Sequence, residues 1–71
     1  EVDFITKENN KLTAINVSYT DEINEREIKS LIEFKDKFKN KVKDLIIITK
    51  NLEKKESNIN YIPLWKWLLI N

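Results

Sequence analysis

The strongest constraint on what this chain can fold into is the unbroken run Leu45-Ile46-Ile47-Ile48-Thr49, five residues without a charge, four of them β-branched. A strand with one wet face alternates apolar and polar residues, so a run without alternation marks a strand buried on both faces. This strand, opened by Asp44, is expected at the centre of a sheet. Seventy-one residues admit one domain around it. At that size a single core is only marginally stabilising, and a second copy or a neighbouring domain commonly adds burial.

The segments on either side supply the rest of the fold. Val2 to Lys7 and Leu12 to Thr20 each alternate, and Glu8-Asn9-Asn10-Lys11 between them reads as a hairpin turn on the two asparagines. A two-residue turn sets Glu8 opposite Lys11 and Asp3 opposite Asn16. Alternation then places Glu1, Asp3, Ile5, Ala14, Asn16 and Ser18 on one face, with Val2, Phe4, Ile15, Val17 and Tyr19 on the other. Asn24, followed three residues on by Glu27, has the layout of a capping box. Ile28, Leu31, Ile32 and Phe38 then recur at helical spacing, with Phe34 beside them, to about Asn40. This helix is expected to cover the apolar face of the hairpin. Lys35, Lys37, Lys39, Lys41 and Lys43 crowd its end, where cations complement the helix dipole.

Strand, helix, strand in this order implies a right-handed crossover that sets Leu45 to Thr49 parallel to Leu12 to Tyr19. Lys50 to Asn58 is highly charged and reads as a surface loop. Ile59 to Ile62 adds a fourth strand, and Pro63 suits the first turn of a short C-terminal helix holding Trp65, Trp67, Leu68 and Leu69. The fold class is therefore a small mixed α/β sheet, with a hairpin, a crossover helix, a buried parallel strand, a fourth strand and a short terminal helix.

Composition removes whole classes of chemistry. With no cysteine and no histidine, disulfides, thiol nucleophiles, zinc sites and Ser/His triads are excluded, and any metal would rest on carboxylates. With no glycine, a glycine-rich phosphate loop is excluded, and turns that need positive φ are expected on asparagine. Thirteen basic residues against twelve acidic ones leave a net charge of +1. No global field therefore draws the chain to nucleic acid or a membrane, and any such binding has to be local. The longest apolar stretch, Ile62 to Ile70, is broken by Lys66 and far too short to span a bilayer, so the expectation is a soluble, cytoplasmic protein. The chain starts at Glu1, already in strand pattern, and reads as part of a longer polypeptide.

Several stretches together carry a family resemblance: Glu1-Val2-Asp3-Phe4, Asn16-Val17-Ser18-Tyr19, Arg26-Glu27-Ile28, Leu45 to Thr49, and above all Ile62-Pro63-Leu64-Trp65-Lys66-Trp67-Leu68-Leu69. The chain resembles the C-terminal domain of unknown function found on archaeal AAA-type ATPases, a degenerate domain of the PD-(D/E)xK nuclease-like fold. The resemblance implies that residues 1–71 form a single domain with a truncated restriction-endonuclease-like core. It also implies an upstream ATPase module on the same polypeptide, which would be the only part to bind ATP.

Nuclease chemistry in that fold needs a carboxylate near the start of one hairpin strand and an acid-x-Lys on its neighbour. The two acids hold magnesium, which polarises the phosphate and activates water, while the lysine steadies charge. Here Asp3 falls at the first position and Asn16-Val17-Ser18 at the second, so Asn16 offers no charge and Ser18 no ammonium. Asp3, Asn16 and Ser18 are thus vestigial candidates, and a residual magnesium site would use Asp3 with Glu1.

Three readings follow. The leading one is a non-catalytic module for docking, assembly or substrate recognition. The second is a magnesium-dependent nuclease with a shifted site on Glu1 and Asp3, and the third a DNA-binding module using Lys39, Lys41 and Lys43. Against these stand plainer roles: a cross-strand polar pair of Asp3 and Asn16 on a partly exposed face, and a solvated helix end for the lysines. One of Trp65 and Trp67 is expected to pack inside and the other to contact a partner. An open sheet edge is expected to favour a homodimer.

Overall fold

A computed structural model describes residues 1–70. Five strands and two α-helices follow in the order β1 (Phe4–Glu8), β2 (Lys11–Val17), α1 (Glu25–Phe38), β3 (Val42–Thr49), β4 (Lys54–Glu56), β5 (Ile59–Pro63) and α2 (Leu64–Ile70), with a 3-10 turn at Lys39–Lys41. The sheet order is β1-β2-β3-β5-β4, which puts β3 at the centre. β3 pairs in parallel with β2 and β5, and the two hairpins at the edges are antiparallel. This is the mixed α/β class expected, with one strand more than the pattern suggested.

The hairpin has the expected register, with Glu8 opposite Lys11 and Phe4 opposite Ile15. Asn9 and Asn10 take φ of 53° and 65°, the left-handed pair that a tight hairpin turn needs. Lys50 to Asn58 is not simply a loop. The chain leaves β3, reverses, runs out along the sheet edge as β4, turns on Ser57-Asn58 and returns as β5, which slots between β3 and β4. Because the intervening strand runs antiparallel, no crossover helix is needed to make β3 and β5 parallel. Charge hid this strand: Lys54, Lys55 and Glu56 are all exposed, and a short charged strand is how a sheet protects an edge.

The helix α1 lies on the opposite face of the hairpin from the one expected. Ala14 joins Leu31, Phe34, Leu45, Ile47, Ile59 and Tyr61 in the core beneath α1, with Val2 packed at its border. Ile15, Ile46 and Ile48 form a second cluster on the other face, where Ile62, Leu64 and Trp67 pack against them. The physical reason is set by the centre of the sheet. Leu45, Ile47, Ile59 and Tyr61 make a broad apolar face across β3 and β5, and the small Ala14 lets a helix approach β2. Phe4 and Val17, on the face expected to be covered, stay 58% and 43% exposed.

Pro63 also differs from expectation: it is buried as the last residue of β5, and α2 begins immediately after it. Among the described residues no helix is long and apolar enough to cross a membrane.

Candidate functional site

β2 brings Asn16 to the point where the hairpin meets the first turn of α1. Its side chain is fully buried and its hydrogen-bonding groups are engaged on three sides. Oδ1 accepts from the Asp3 amide at 2.9 Å, while Nδ2 donates to the Glu27 carbonyl at 3.1 Å and to Ser30 Oγ at 2.8 Å. Ser30 Oγ in turn donates to the Glu27 carbonyl at 3.1 Å. Asp3 returns the favour across the strands, its Oδ2 accepting from the Val17 amide at 2.9 Å. The two side chains form a reciprocal clamp, each binding a backbone N–H of the opposite segment.

The pair of Asp3 and Asn16 is therefore brought together, but Asn16 is sealed beneath α1 and not on a partly exposed face. The chemistry of that pocket suits an amide. The Glu27 carbonyl requires a donor, and a carboxylate has none to give. Glu27 adds an acid nearby that sequence reasoning missed. Its Oε2 is buried without a hydrogen-bond partner, because Asn24 caps the helix through the Arg26 amide at 2.8 Å, with no reciprocal contact from Glu27.

Ser18 lies outside the strand that was expected to carry it. β2 ends at Val17, and the amides of Ser18 and Tyr19 both donate to the Ile48 carbonyl at 2.9 and 3.1 Å. Tyr19 there takes φ of 50°, so the chain leaves the sheet before the third position of an acid-x-Lys pattern is reached in strand geometry. Glu1 is exposed ahead of β1. Among the described residues no three acidic side chains gather closely enough to hold a metal ion.

The lysines separate. The α1 helix ends at Phe38, so Lys39 and Lys41 belong to the 3-10 turn and Lys43 to β3. Lys41 borders a hollow with Lys7 and Phe38, whereas Lys43 pairs with Glu8 at 3.5 Å. The register of β2 against β3 slips by one residue, Leu12 facing Val42 and Thr13 facing Asp44, which leaves Lys43 as the bulged residue. Instead of an even strip, Lys43 meets Lys35 of α1 and Lys55 of β4 around a depression of about 150 Å³ that Asp44, Asn58 and Asn60 also line. That grouping spans three elements, and no spacing along the chain announces it.

Trp67 packs onto the Ile46 cluster, and Trp65 is 54% exposed. Trp67 is thus the half-buried tryptophan, packed against the sheet, and Trp65 the exposed one.

A family model described as a domain of unknown function (DUF4143) matches residues 1–67, a span that takes in all five strands, α1 and the start of α2. The chain belongs to this family. No curated protein and no solved structure matches it.

Proposed function

We propose that this DUF4143 domain is a non-catalytic, nuclease-like module of an archaeal AAA-type ATPase, serving docking, assembly or substrate recognition. The nuclease-like descent and the ATPase parent rest on the resemblance of the hairpin, the Asn16-Val17-Ser18 segment and the Pro63-Leu64-Trp65-Lys66-Trp67 tail. The observation that carries the non-catalytic reading is the state of Asn16. The residue at the expected acid position is fully buried, and its amide is spent on Asp3, Glu27 and Ser30. A metal-binding acid must instead keep oxygens free and directed at a wet cleft. Partner contact falls to the exposed surface, including Trp65.

A second reading has its own observation in its favour. Lys35 and Lys55, with Lys43 beside them paired to Glu8, outweigh Asp44 around one depression and offer local positive charge to a phosphate, which suits a nucleic-acid contact despite the near-neutral chain.

One titration separates the readings. Labelled single- and double-stranded DNA is followed by fluorescence anisotropy against the folded domain, with magnesium, at low and physiological salt, over time. Absence of binding and cleavage is the expected result for a docking module. Salt-sensitive binding lost in Lys43→Glu and Lys55→Glu moves the assignment to nucleic-acid contact. A signal that rises and decays, and does neither in Asp3→Ala, would establish a magnesium-dependent nuclease using Asp3 and Glu1 and end the non-catalytic reading.

A further inference from the structure

The two helices are built differently. α1 has a polar side and an apolar side, as a helix on the outside of a sheet requires. α2, Leu64-Trp65-Lys66-Trp67-Leu68-Leu69-Ile70, has one charged residue in seven and is apolar all round. A helix apolar on every side belongs between two layers, yet only Leu64 and Trp67 pack onto the sheet. Trp65, Leu68, Leu69 and Ile70 are 54%, 67%, 79% and 60% exposed.

The sheet beside α2 has the complementary shortfall. α2 covers Ile15 of β2 as well as Ile46, Ile48 and Ile62, and leaves the β1 edge and the far end of β2 open. Phe4 and Val17 stand open there, and an open trough of about 500 Å³ runs from a polar end at Lys7, Glu8 and Asp44 to an apolar end at Ile46, Trp67 and Ile70.

We propose that this face is a homodimer interface, in which α2 of each copy lies over the exposed Phe4 and Val17 of the other. A helix with too little cover and a sheet margin with exposed Phe4 and Val17 sit side by side on one surface. A two-fold axis brings each onto the other's counterpart, the self-complementary arrangement of an isologous dimer. The result is two sheets with a pair of α2 helices between them. The size fits as well. With aromatic side chains offering about 200 Å² each, the exposed parts of Phe4, Val17, Trp65, Leu68, Leu69 and Ile70 come to roughly 700 Å², close to the roughly 800 Å² each partner gives to a stable interface. This surface is on the other side of the sheet from Asn16 and α1, so the inference holds or fails independently of the nuclease-like reading.

Sedimentation of the chain over a concentration series tests it. The expected result is a mass moving from 8.5 kDa to twice that value. Leu69→Glu, at the most exposed of these positions, should weaken the dimer at least about tenfold, as loss of a central interface residue does, with an unchanged circular dichroism spectrum. Because the chain has no cysteine, single Phe4→Cys and Leu69→Cys variants can be mixed and treated with a short bis-maleimide. A Phe4-to-Leu69 product joining two chains is the expected outcome. A monomer up to about 1 mM, the weak end of the affinity scale, would overturn the proposal. So would a dimer indifferent to Leu69→Glu, which places the contact elsewhere, such as the β1 edge, or a dimer in which the mixed cysteines fail to join.

Discussion

Asn16 shows how a single buried side chain can hold three segments together. Its amide accepts from Asp3 and donates to Glu27 and Ser30, so it ties β1, β2 and α1 together at one point. Placing a carboxylate there, Asn16→Asp, sets an acceptor against the Glu27 carbonyl and leaves a buried charge with only the Asp3 amide and the Ser30 hydroxyl as donors. The expected cost is about 1–3 kcal/mol at neutral pH. It should shrink in acid, where the protonated carboxyl regains a donor, and urea unfolding at neutral and acidic pH measures both. Equal stability of the two proteins at pH 7 would show that the clamp does not need an amide. Sequence reading placed Asp3 opposite Asn16 correctly, because a two-residue turn dictates the partner of every residue in the hairpin. It could not tell that α1 would close over the pair, since that depends on which face of the sheet the helix finds more apolar.

At the scale of elements, the absence of glycine has consequences in each connection. Asparagine takes the left-handed position at Asn9, Asn10 and Asn58, as expected, but Tyr19, Lys39 and Ser57 hold positive φ as well. Lys39 ends α1 at φ 45° and ψ −113°, its amide bonded to the Lys35 carbonyl. That backbone is forced by the need to turn from α1 into β3 within a few residues. A side chain with a Cβ resists left-handed geometry by about 1–2 kcal/mol, and glycine's greater freedom in the unfolded chain returns part of that. Lys39→Gly should therefore stabilise the domain by about 0.5–1 kcal/mol, visible as a raised thermal midpoint. A lowered midpoint would mean that the lysine side chain contributes more than its backbone costs. The hairpin, α1 and the central strand were all legible, since turn chemistry, helical spacing and an apolar run are local signals. The strand β4 was not, because three exposed charged residues read as a loop until a neighbour pairs with them.

Over the whole molecule, contacts between distant segments close the end of the sheet where β2 and β3 finish. Asp21 accepts from the amides of Asn51 and Leu52 at 2.7 Å each, joining the loops that follow β2 and β3 across thirty residues of sequence. The Asn51 amide first, then the Leu52 amide, holds its carboxyl below the ordinary value of 3.8. A carboxyl with a lower pKa when folded stabilises fully above its unfolded value and loses that contribution as pH falls through the folded one. The domain should accordingly lose stability below pH 3.8 in part through Asp21. Urea midpoints for wild type and Asp21→Ala should converge as pH drops from about 5 to about 2, and parallel curves would remove Asp21 from the acid limb.

What the amino-acid order determined on its own is the class of the domain: a central strand wet on neither face, a hairpin with a set register, one amphipathic helix, and no thiol, imidazole or glycine-loop chemistry. These follow from local sterics and hydrophobic pattern, which act over a few residues. The tertiary structure decided which face α1 covers, where β4 pairs, how Lys35, Lys43 and Lys55 meet, and that α2 remains apolar toward solvent. Each of those depends on burial summed over segments far apart in the chain, and burial is a property of the assembled sheet, not of any stretch within it.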